Sequence, residues 1–346
     1  MRRLITLLSF LAFSFCGMAQ DDDVKKQAAA GHNILQTSDS GWKCGGFFGT
    51  NFSNTTFSNW AGGGTNNNAV VANASLFAIY RSKDTQGIWE TYLDMAYGVI
   101  RNGAATIDDP ANPTQTVKNP FVKNEDKLVL LTKYGRRLED HLNYSGLVSL
   151  NTQMFPGYAA SDILHRNNHV SNFLAQGFGY ISIGLDYKPT NYFSVYMSPI
   201  TAKYTIVREQ RLADLGLYGV RPAEYDYSDT AGGRPPVKTR NGQTIRTEFG
   251  WYVNVQFNKE VMKNITWQSR LELFQNYRTN AADHIDVNWQ NTINMKVNKY
   301  VTVSLINQVI WDYDVDTDPV AEGIQRKWQL KNFFGVGFSA KFGDKL

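Results

Sequence analysis

The chain has 346 residues, of which 42% are hydrophobic, 13% aromatic and 19% charged, and its formal net charge is +4. With 20 Phe, 18 Tyr and 8 Trp, it is too aromatic for a wholly disordered protein. Beyond the N-terminus no apolar run approaches the roughly 20 residues of a membrane helix, which excludes a polytopic helical protein. No basic stripe is present, so nucleic acid is excluded as a partner.

Residues 1–19 have the features of a secretory signal peptide. Arg2 and Arg3 precede the apolar run 4–15, and Gly17 and Ala19 provide small residues at the −3 and −1 positions of a cleavage site. The apolar run is too short and wrongly flanked for a membrane helix. We therefore expect cleavage near Ala19 and export of the mature chain.

The two cysteines raise two further questions. A lipidated Cys16 is the alternative to cleavage after Ala19, but the preceding Phe15 is bulky where a lipoprotein peptidase requires a small residue. After cleavage near Ala19, Cys44 is the one remaining cysteine, so no internal disulfide is expected.

Cleavage near Ala19 would also remove Arg2 and Arg3, so the net charge of the mature chain would be +2 instead of +4.

The mature sequence alternates between apolar and polar residues, and this period of two predicts β-strands. Residues 285–297 are the clearest example, with Val287, Trp289 and Ile293 on one face and Asn288, Gln290 and Thr292 on the other. Twelve such strands are predicted, at 44–54, 69–81, 88–100, 126–135, 142–154, 173–187, 191–205, 244–257, 265–277, 285–297, 301–313 and 328–342. Most match the roughly 9–11 residues with which a tilted strand crosses a bilayer.

The connections between these strands alternate in length. Short ones surround residues 82–84, 139–140, 189–190, 260–264 and 298–299, whereas long ones cover 102–124, 156–172, 208–243 and 315–327. Antiparallel neighbours place all the short ones on one side, as in an outer-membrane barrel with short periplasmic turns and long external loops. We predict an all-β fold: a transmembrane antiparallel up-and-down β-barrel of about 12 strands. It would occupy residues 42–346, after a short periplasmic segment at 20–41, with both termini periplasmic.

Aromatic residues support this prediction because they cluster near both ends of the strands. From Trp267 to Tyr277 the strand would span about 23 Å at a 45° tilt, close to the height of the apolar band of a barrel. Amphipathic rings prefer the two membrane interfaces. A secreted β-sandwich or propeller is the alternative, but such folds rarely combine many long strands with long connections at one end.

Five short motifs carry a family resemblance: residues 59–64 (NWAGGG), 184–189 (GLDYKP), 198–200 (SPI), 298–300 (NKY) and the acidic stretch after Trp311. In order and spacing they resemble a Bacteroidota family of signal-peptide-bearing proteins of unknown function, regarded as outer-membrane barrels. The resemblance covers essentially the whole mature chain. It implies location and fold, and it identifies no catalytic residue or cofactor.

The polar faces of the predicted strands carry both charge signs. The residues predicted to face the lumen are Arg246, Glu248, Arg270, Glu272, Asp286, Lys296, Asp312, Lys331 and Lys341. They form no ring of a single sign that would select anions or cations. Inward Tyr252, Phe274 and Phe333 would constrict the interior. We also predict an ion pair between Asp312 and Lys331, about 5–8 Å apart as cross-strand or diagonal neighbours.

Two groups of residues suggest chemistry. His169, Ser171 and Asn172 resemble the His-x-Ser-Asn core of outer-membrane phospholipases, in which a His activates a Ser nucleophile and an Asn orients the His. The residues that follow this core in those enzymes are replaced here by Phe173 and Leu174, so a polar loop is the preferred interpretation.

The four alternating carboxylates Asp312, Asp314, Asp316 and Asp318 could ligate Ca²⁺. An EF-type loop starting at Asp312 would need Gly and Glu where Thr317 and Gly323 stand. A solvated acidic edge is therefore preferred. We expect no metal and no cofactor.

Two functional hypotheses remain open. The long loops offer surface for partners or for lining the mouth of a channel. A structural or accessory subunit of an outer-membrane assembly is slightly favoured, because neither an aromatic ladder for sugars nor a constriction of one charge sign indicates a channel. A narrow channel for small polar solutes is the alternative. A phospholipase-like enzyme ranks third, so no enzymatic activity is expected. The expected partners are outer-membrane lipids, a protein of the outer membrane and, through Phe334, Phe338 and Phe342 in the last strand, the barrel-assembly machinery.

Overall fold

The computed structural model describes residues 40–55, 67–84, 86–104, 106–109, 112–158, 169–228, 235–279, 284–298, 301–315 and 326–343. The predicted signal peptide and nearly all of the predicted periplasmic segment lie outside these ranges. Within the ranges, no helix is long and apolar enough to cross a membrane.

Long strands form the wall of the molecule, and shorter ones lie in the connections. In chain order they are β1 (Gly41–Thr55), β2 (Asn67–Arg81), β3 (Gly87–Asn102), β4 (Thr106–Asp109), β5 (Asn112–Lys118), β6 (Val122–Glu139), β7 (Leu142–Thr152), β8 (Gly157–Tyr158), β9 (His169–Ser171), β10 (Gly177–Thr190), β11 (Phe193–Ile206), β12 (Glu224–Asp226), β13 (Val237–Arg240), β14 (Ile245–Met262), β15 (Ile265–Asn276), β16 (Asp286–Lys296), β17 (Val301–Trp311) and β18 (Gln329–Gly343). The short strands pair as β4–β5, β8–β9 and β12–β13.

The twelve long strands close into one antiparallel barrel. Each pairs with its neighbours in the order β1, β2, β3, β6, β7, β10, β11, β14, β15, β16, β17, β18, and β18 returns to β1. At this closure Gly45 lies opposite Gly343 and Asn51 opposite Gly337. The predicted fold class, an up-and-down barrel of about 12 strands, is confirmed. A sandwich is excluded because closure leaves no sheet edge.

Connections of two to five residues join β2 to β3, β6 to β7, β10 to β11, β14 to β15 and β16 to β17, whereas every connection at the other end has nine or more. The turns β6–β7 and β14–β15 are tight enough to hold His141 and Asn264 at φ of +67° and +66°. β1 begins and β18 ends at the short-turn end. The predicted alternation is therefore observed, and the side of the membrane that each end faces stays a prediction.

The barrel wall is apolar outside and polar inside. Along β10, the outward Ile181, Ile183 and Leu185 are 51%, 66% and 40% exposed, whereas the inward Ser182 and Asp186 are buried. A soluble protein places these residue types the other way round. Exposed aromatic side chains lie near the short turns (Trp89, Tyr134, Tyr187, Trp267) and near the long connections (Tyr97, Tyr277, Trp328). This exterior is that of a barrel surrounded by lipid.

A β-bulge in β11 explains one of the sequence motifs. The register between β11 and β14 shifts between Ser198 and Thr201, and both of these residues are buried. The Ser198 hydroxyl donates to the carbonyl oxygens of Ile183 and Ile200 at 2.8 and 2.9 Å. Pro199 lies in the bulge, where its missing N–H leaves no gap in the ladder.

The connection between β11 and β14 is a folded unit that the sequence did not predict. It contains the helix α1 (Gln210–Asp214) and a 3₁₀ turn at Leu217–Gly219. Four of its residues, Val207, Leu212, Ala213 and Val220, form a buried apolar cluster with Ala175. We call residues 207–228 and 235–244 the loop cap. Its five-residue helix is too short to show a 3.6-residue period.

Asp214 joins two parts of the loop cap. Its carboxylate accepts hydrogen bonds from Gln210 Nε2 and the Gly242 amide, each at 2.8 Å, and from the Lys238 ammonium group. The bond from Lys238, followed by the one from Gly242, lowers the pKa of Asp214 to about 2. The loop cap is therefore stabilised by an ionised carboxylate.

Candidate functional site: the barrel lumen

The long-connection end of the lumen holds charged residues that pair across the barrel. Lys203 Nζ on β11 lies 2.5 Å from Asp286, 3.6 Å from Asp312 and 3.9 Å from Glu248. Because β14 and β15 separate β11 from β16, the contact with Asp286 crosses the interior. The Lys203 side chain is almost fully buried, so its charge is compensated by carboxylates rather than by water.

Arg246 extends the same network to the loop cap. Its guanidinium lies 2.8 Å from Glu248 and 2.5 Å from Asp314, and it donates to the Gly219 carbonyl at 2.9 Å. The upper charge cluster thus consists of Lys203, Arg246, Glu248, Asp286, Asp312 and Asp314. It joins one half of the lumen to the loop cap.

The middle of the lumen is organised around Glu272. Its carboxylate accepts hydrogen bonds from Arg270 at 2.6 Å, from the Tyr252 hydroxyl at 2.8 Å and from Asn288 at 2.9 Å. Asn254 Nδ2 in turn donates to the Tyr252 hydroxyl at 2.9 Å. These bonds hold the Tyr252 ring across the lumen.

The short-turn end contains a buried square of four charges. Lys133 lies 3.1 Å from Glu90 and 2.6 Å from Asp186, and Lys188 lies 3.3 Å from each of the same carboxylates. All four side chains are buried or nearly so. We call Glu90, Lys133, Asp186 and Lys188 the lower charge cluster. Its two positive and two negative charges cancel.

Aromatic rings fill the lumen between these two clusters. The Tyr180 ring lies 5.2 Å from that of Tyr252 and 6.0 Å from that of Phe274, and the Tyr196 ring lies 6.2 Å from that of Tyr252. Leu131 and Leu147 belong to the same buried group. Tyr252 and Phe274 therefore constrict the lumen as predicted, while the side chain of Phe333 lies outside the described residues.

On the side of the lumen away from these aromatic rings there is a cavity of about 290 Å³. Nine of its eighteen lining residues carry amide or hydroxyl groups: Asn51, Asn73, Gln268, Gln290, Thr292, Asn294, Thr302, Ser304 and Gln308. Apolar residues such as Val71, Ala96 and Ile306 contribute to the rest of the lining. The lining runs from Gln308 to Thr302 along β17, about 20 Å of strand at 3.3 Å per residue. We call this space the amide cavity.

Lys331 and Glu125 close one side of the amide cavity near the long connections. Lys331 Nζ lies 2.5 Å from the Glu125 carboxylate, across the tops of β1 to β3, and both residues line the cavity. The predicted pair of Lys331 with Asp312 is therefore wrong, because Asp312 contacts Lys203 instead. The register explains the error: Lys331 lies opposite Gln308, four residues before Asp312.

Two of the residues predicted to face the lumen, Lys296 and Lys341, lie in the parts of their strands nearest the short turns. Lys296 ends β16 opposite Thr302 at the short-turn end. Lys341 of β18 lies opposite Phe47 of β1, and the side chain of Lys341 is outside the described residues. The structure brings together the predicted residues Arg246, Glu248, Asp286 and Asp312, and separately Arg270 and Glu272.

The phospholipase-like motif is not assembled as a catalytic group. The Ser171 hydroxyl accepts a hydrogen bond from Lys123 Nζ at 2.9 Å, and His169 Nε2 lies 3.0 Å from Glu209. Lys123 also contacts Asp126 at 2.7 Å. A His that activates a Ser would have to contact its hydroxyl. These two residues instead hold β9 against β6 and the loop cap.

The acidic stretch after Trp311 is partly described. Asp312 and Asp314 belong to the upper charge cluster, while Asp316 and Asp318 lie outside the described residues. Among the residues that the structure describes, no group of three or more His, Cys, Asp or Glu side chains is arranged to hold a metal ion. At Asp312 and Asp314 the predicted solvated acidic edge is therefore ion-paired, with Lys203 and Arg246.

Sequence reasoning missed Lys203 in the upper charge cluster and all four members of the lower charge cluster. Lys203 occupies an inward position of β11, but the bulge at Pro199 changes which residues face inward after it. Glu90, Lys133 and Asp186 are inward polar residues of three predicted strands, and Lys188 lies one residue beyond the predicted end of the third. The alternation of those strands could have identified them. Their mutual contact depends on the closed barrel.

Part of the chain matches a family model. Residues 52–158, less than half of the chain, match a family described as a protein of unknown function, DUF3078. The expected similarity to a family of unknown function is thus observed for this segment, whereas the bacterial group stays a prediction. No curated protein matches the sequence.

Solved barrels resemble the chain in fold alone. The translocator domain of autotransporter NalP from Neisseria meningitidis shares 7% identity at a TM-score of 0.36, over 90% of this chain and 93% of that one. An outer membrane channel from Pseudomonas putida F1 shares 11% identity at a TM-score of 0.38, over 88% and 96%. The NanC porin shares 9% identity at a TM-score of 0.33, over 85% and 98%.

Proposed function

We propose that this outer-membrane β-barrel is a narrow channel for small, uncharged, polar solutes. The amide cavity carries the proposal. Its volume of about 290 Å³ far exceeds the roughly 10–15 Å³ that one water molecule requires. It extends over more than half the length of β17, so it provides a path along the wall.

The chemistry of the lining favours hydroxyl-bearing solutes over ions. Amide and hydroxyl side chains both donate and accept hydrogen bonds, as a polyol or sugar does. The charges on the cavity wall are few, and two of them, Glu125 and Lys331, neutralise each other. A lumen without a ring of one sign selects neither cations nor anions.

One polar atom on the cavity wall supports a polar occupant. Asn73 Oδ1 is buried, and among the described residues it has no hydrogen-bond partner. A buried acceptor without a partner costs free energy unless a water molecule or solute bonds to it. Asn73 lies against Gly49, where a Cβ atom would come within 2.9 Å of this oxygen.

Solute-induced swelling of proteoliposomes tests the channel. The wild type should admit small neutral sugars faster than salts of similar size. Ser304→Trp, which places an indole in the amide cavity, should reduce this rate by roughly tenfold, since pore lining limits passage. Val303→Trp is the matched control, because the neighbouring residue of β17 faces lipid. Absence of swelling with the wild type, or equal rates for the two variants, would contradict the proposal.

A role as an accessory subunit of an outer-membrane assembly is the second candidate. The loop cap is folded, and it exposes large apolar side chains: Leu215 at 63%, Tyr227 at 65% and Val237 at 66%. Exposed apolar groups on an ordered loop suit a protein partner. Co-purification of a stoichiometric partner that Tyr227→Ser abolishes would support this role. Purification of the barrel alone from its own membrane in mild detergent would oppose it.

The route to the membrane follows from the sequence. We propose cleavage after Ala19, export, and insertion by the barrel-assembly machinery, for which the last strand offers the outward Phe334 and Phe338, 65% and 48% exposed. N-terminal sequencing of the mature protein checks the cleavage site. Proteolysis of intact cells should cut within residues 208–243 and spare the short turns; the opposite pattern would reverse the proposed orientation.

A further inference from the structure

A row of polar side chains crosses the outer surface of four neighbouring strands. Ser269 on β15 lies opposite Asn291 on β16, Asn291 lies opposite Asn307 on β17, and Asn307 lies opposite Asn332 on β18. Each interrupts the apolar series of its own strand. The strand register places these four polar residues side by side. We call Ser269, Asn291, Asn307 and Asn332 the polar row.

The row faces outwards. Side chains two residues away share its face, and Trp289, Leu305 and Phe334 are 42%, 38% and 65% exposed. The adjacent Gln290 and Gln308 face the opposite way and line the amide cavity. Asn291 and Asn307 are the sixth and seventh residues of strands that each have eleven, so the centre of the row lies near the middle of the membrane.

Lipid cannot satisfy these groups, because the hydrocarbon core offers no hydrogen-bond partners. Three bonds satisfy part of the row: Asn307 Nδ2 donates to Asn332 Oδ1 at 2.6 Å, Trp267 Nε1 to Asn291 Oδ1 at 3.2 Å, and Trp289 Nε1 to Ser269 at 2.9 Å. Within the described part of the chain, the side-chain N–H groups of Asn291 and Asn332 donate to no acceptor. Such groups in contact with lipid cost free energy.

The opposite wall has no such feature in its described residues. At mid-strand the outward positions of β10, β11 and β14 are apolar: Ile181, Ile183, Leu185, Val195, Met197, Val253 and Val255. The polar row therefore has no counterpart on β10, β11 and β14. Outward hydroxyls do occur at Thr91 on β3 and Thr132 on β6, but these two bond to each other at 3.0 Å and carry no amide.

We infer that the polar row is the surface on which a second copy of this chain docks in the membrane. Copies inserted in the same orientation lie at the same depth, so a rotation axis along the membrane normal brings row against row. An asparagine amide both donates and accepts, and can therefore pair with its own counterpart. The flanking Trp289 and Leu305 add apolar contact around the amides. A second copy carries the same row at the same depth, a match that a different protein would not have by symmetry.

Disulfide trapping tests the interface directly. In a Cys44→Ala background, Asn307→Cys should form a covalent dimer when membranes that hold the barrel are oxidised. Ile183→Cys, on the opposite wall, is the matched control and should stay monomeric. Equal trapping at the two positions, no trapping at Asn307→Cys, or trapping to a different protein would each overturn the inference.

Dilution in liposomes provides a second measurement, read by single-molecule photobleaching of labelled barrels. Asn291→Leu with Asn307→Leu should weaken association by roughly tenfold, corresponding to about 1.4 kcal/mol, whereas Ile183→Leu should leave it unchanged. Heat-modified mobility on gels confirms that each variant is folded. A wild type that is monomeric at every density of barrels in the liposome would overturn the inference. Solute passage is measured separately on single barrels, so that a failure of the dimer can be distinguished from a failure of the channel proposal.

Discussion

The wall formed by β6, β7, β10, β11 and β14 differs from the wall formed by β15 to β18 on both faces. Inside, the first carries three members of the lower charge cluster and most of the aromatic rings, whereas the second borders the amide cavity. Outside, β10, β11 and β14 of the first wall are apolar at mid-strand, whereas the second bears the polar row. One barrel thus has a filled, lipid-adapted side and a hollow, polar side.

The difference arises from the size and charge of the inward side chains. Long charged side chains and rings reach across the lumen and contact one another, as Lys203 does with Asp286 and Tyr180 with Tyr252. Shorter amide and hydroxyl side chains contact near neighbours, as Ser304 does with Asn294 at 2.7 Å. Space is left where side chains do not reach. Contacts between side chains occupy the filled side, and the proposed channel would run along the hollow side.

The largest expected effect is a loss of stability when the lower charge cluster of the filled side is broken. Lys133→Met leaves Glu90 and Asp186 with Lys188 as their remaining partner in the lower charge cluster. Loss of one member of a buried ion network costs about 3–5 kcal/mol, so the free energy of unfolding should fall by this amount. Urea titration of the barrel refolded into lipid vesicles measures it.

Lys331→Met is the control for that measurement. The Lys331 side chain is 50% exposed, and exposed ion pairs contribute about 0–1 kcal/mol. A loss from Lys133→Met no larger than that from Lys331→Met would show that the filled side does not hold the barrel together.

Opening the filled side should make it resemble the hollow side. Tyr252→Ala removes a fully buried ring that lies between Tyr180 and Tyr196. We expect single-barrel conductance in planar bilayers to rise by roughly twofold, because lumen side chains determine the width of the passage. Phe249→Ala, which shortens an outward residue of the same strand, should leave conductance unchanged. An unchanged conductance for Tyr252→Ala would place the passage elsewhere.

The smallest expected effect concerns the loop cap above the filled side. The pKa of Asp214 is about 2 in the folded protein and about 3.9 in an unfolded chain, so its stabilisation is fully present above pH 4. It is lost as the pH falls towards 2. Cleavage of residues 207–244 by pepsin should therefore accelerate between pH 4 and pH 2.

Asp214→Asn supplies the comparison for this pH effect. Its amide side chain does not titrate, so the rate of cleavage should lack the acceleration attributed to Asp214, once the pH dependence of pepsin on a denatured substrate is subtracted. The same acceleration in Asp214→Asn as in the wild type would mean that another group controls the loop cap.

The outcome for individual residues shows how far sequence reasoning reaches. Inward Tyr252 and Phe274 were predicted correctly, because alternation within one strand decides which face a side chain takes. The pair of Asp312 and Lys331 was predicted wrongly, because Lys331 lies opposite Gln308, which puts Asp312 four residues away and beyond a direct or diagonal neighbour. The loop cap was missed because its short helix and its contacts with Ala175 have no periodic pattern.

The sequence by itself determined the twelve strands, the alternation of short and long connections, and the apolar exterior. These are local properties, since strand period, turn chemistry and hydropathy are read within a few residues. The tertiary structure decided which side chains meet across the lumen, where space remains beside β17, and that Ser269, Asn291, Asn307 and Asn332 form one row. Such features depend on register, on the bulge at Pro199 and on closure of β18 against β1, which relate residues far apart in the chain.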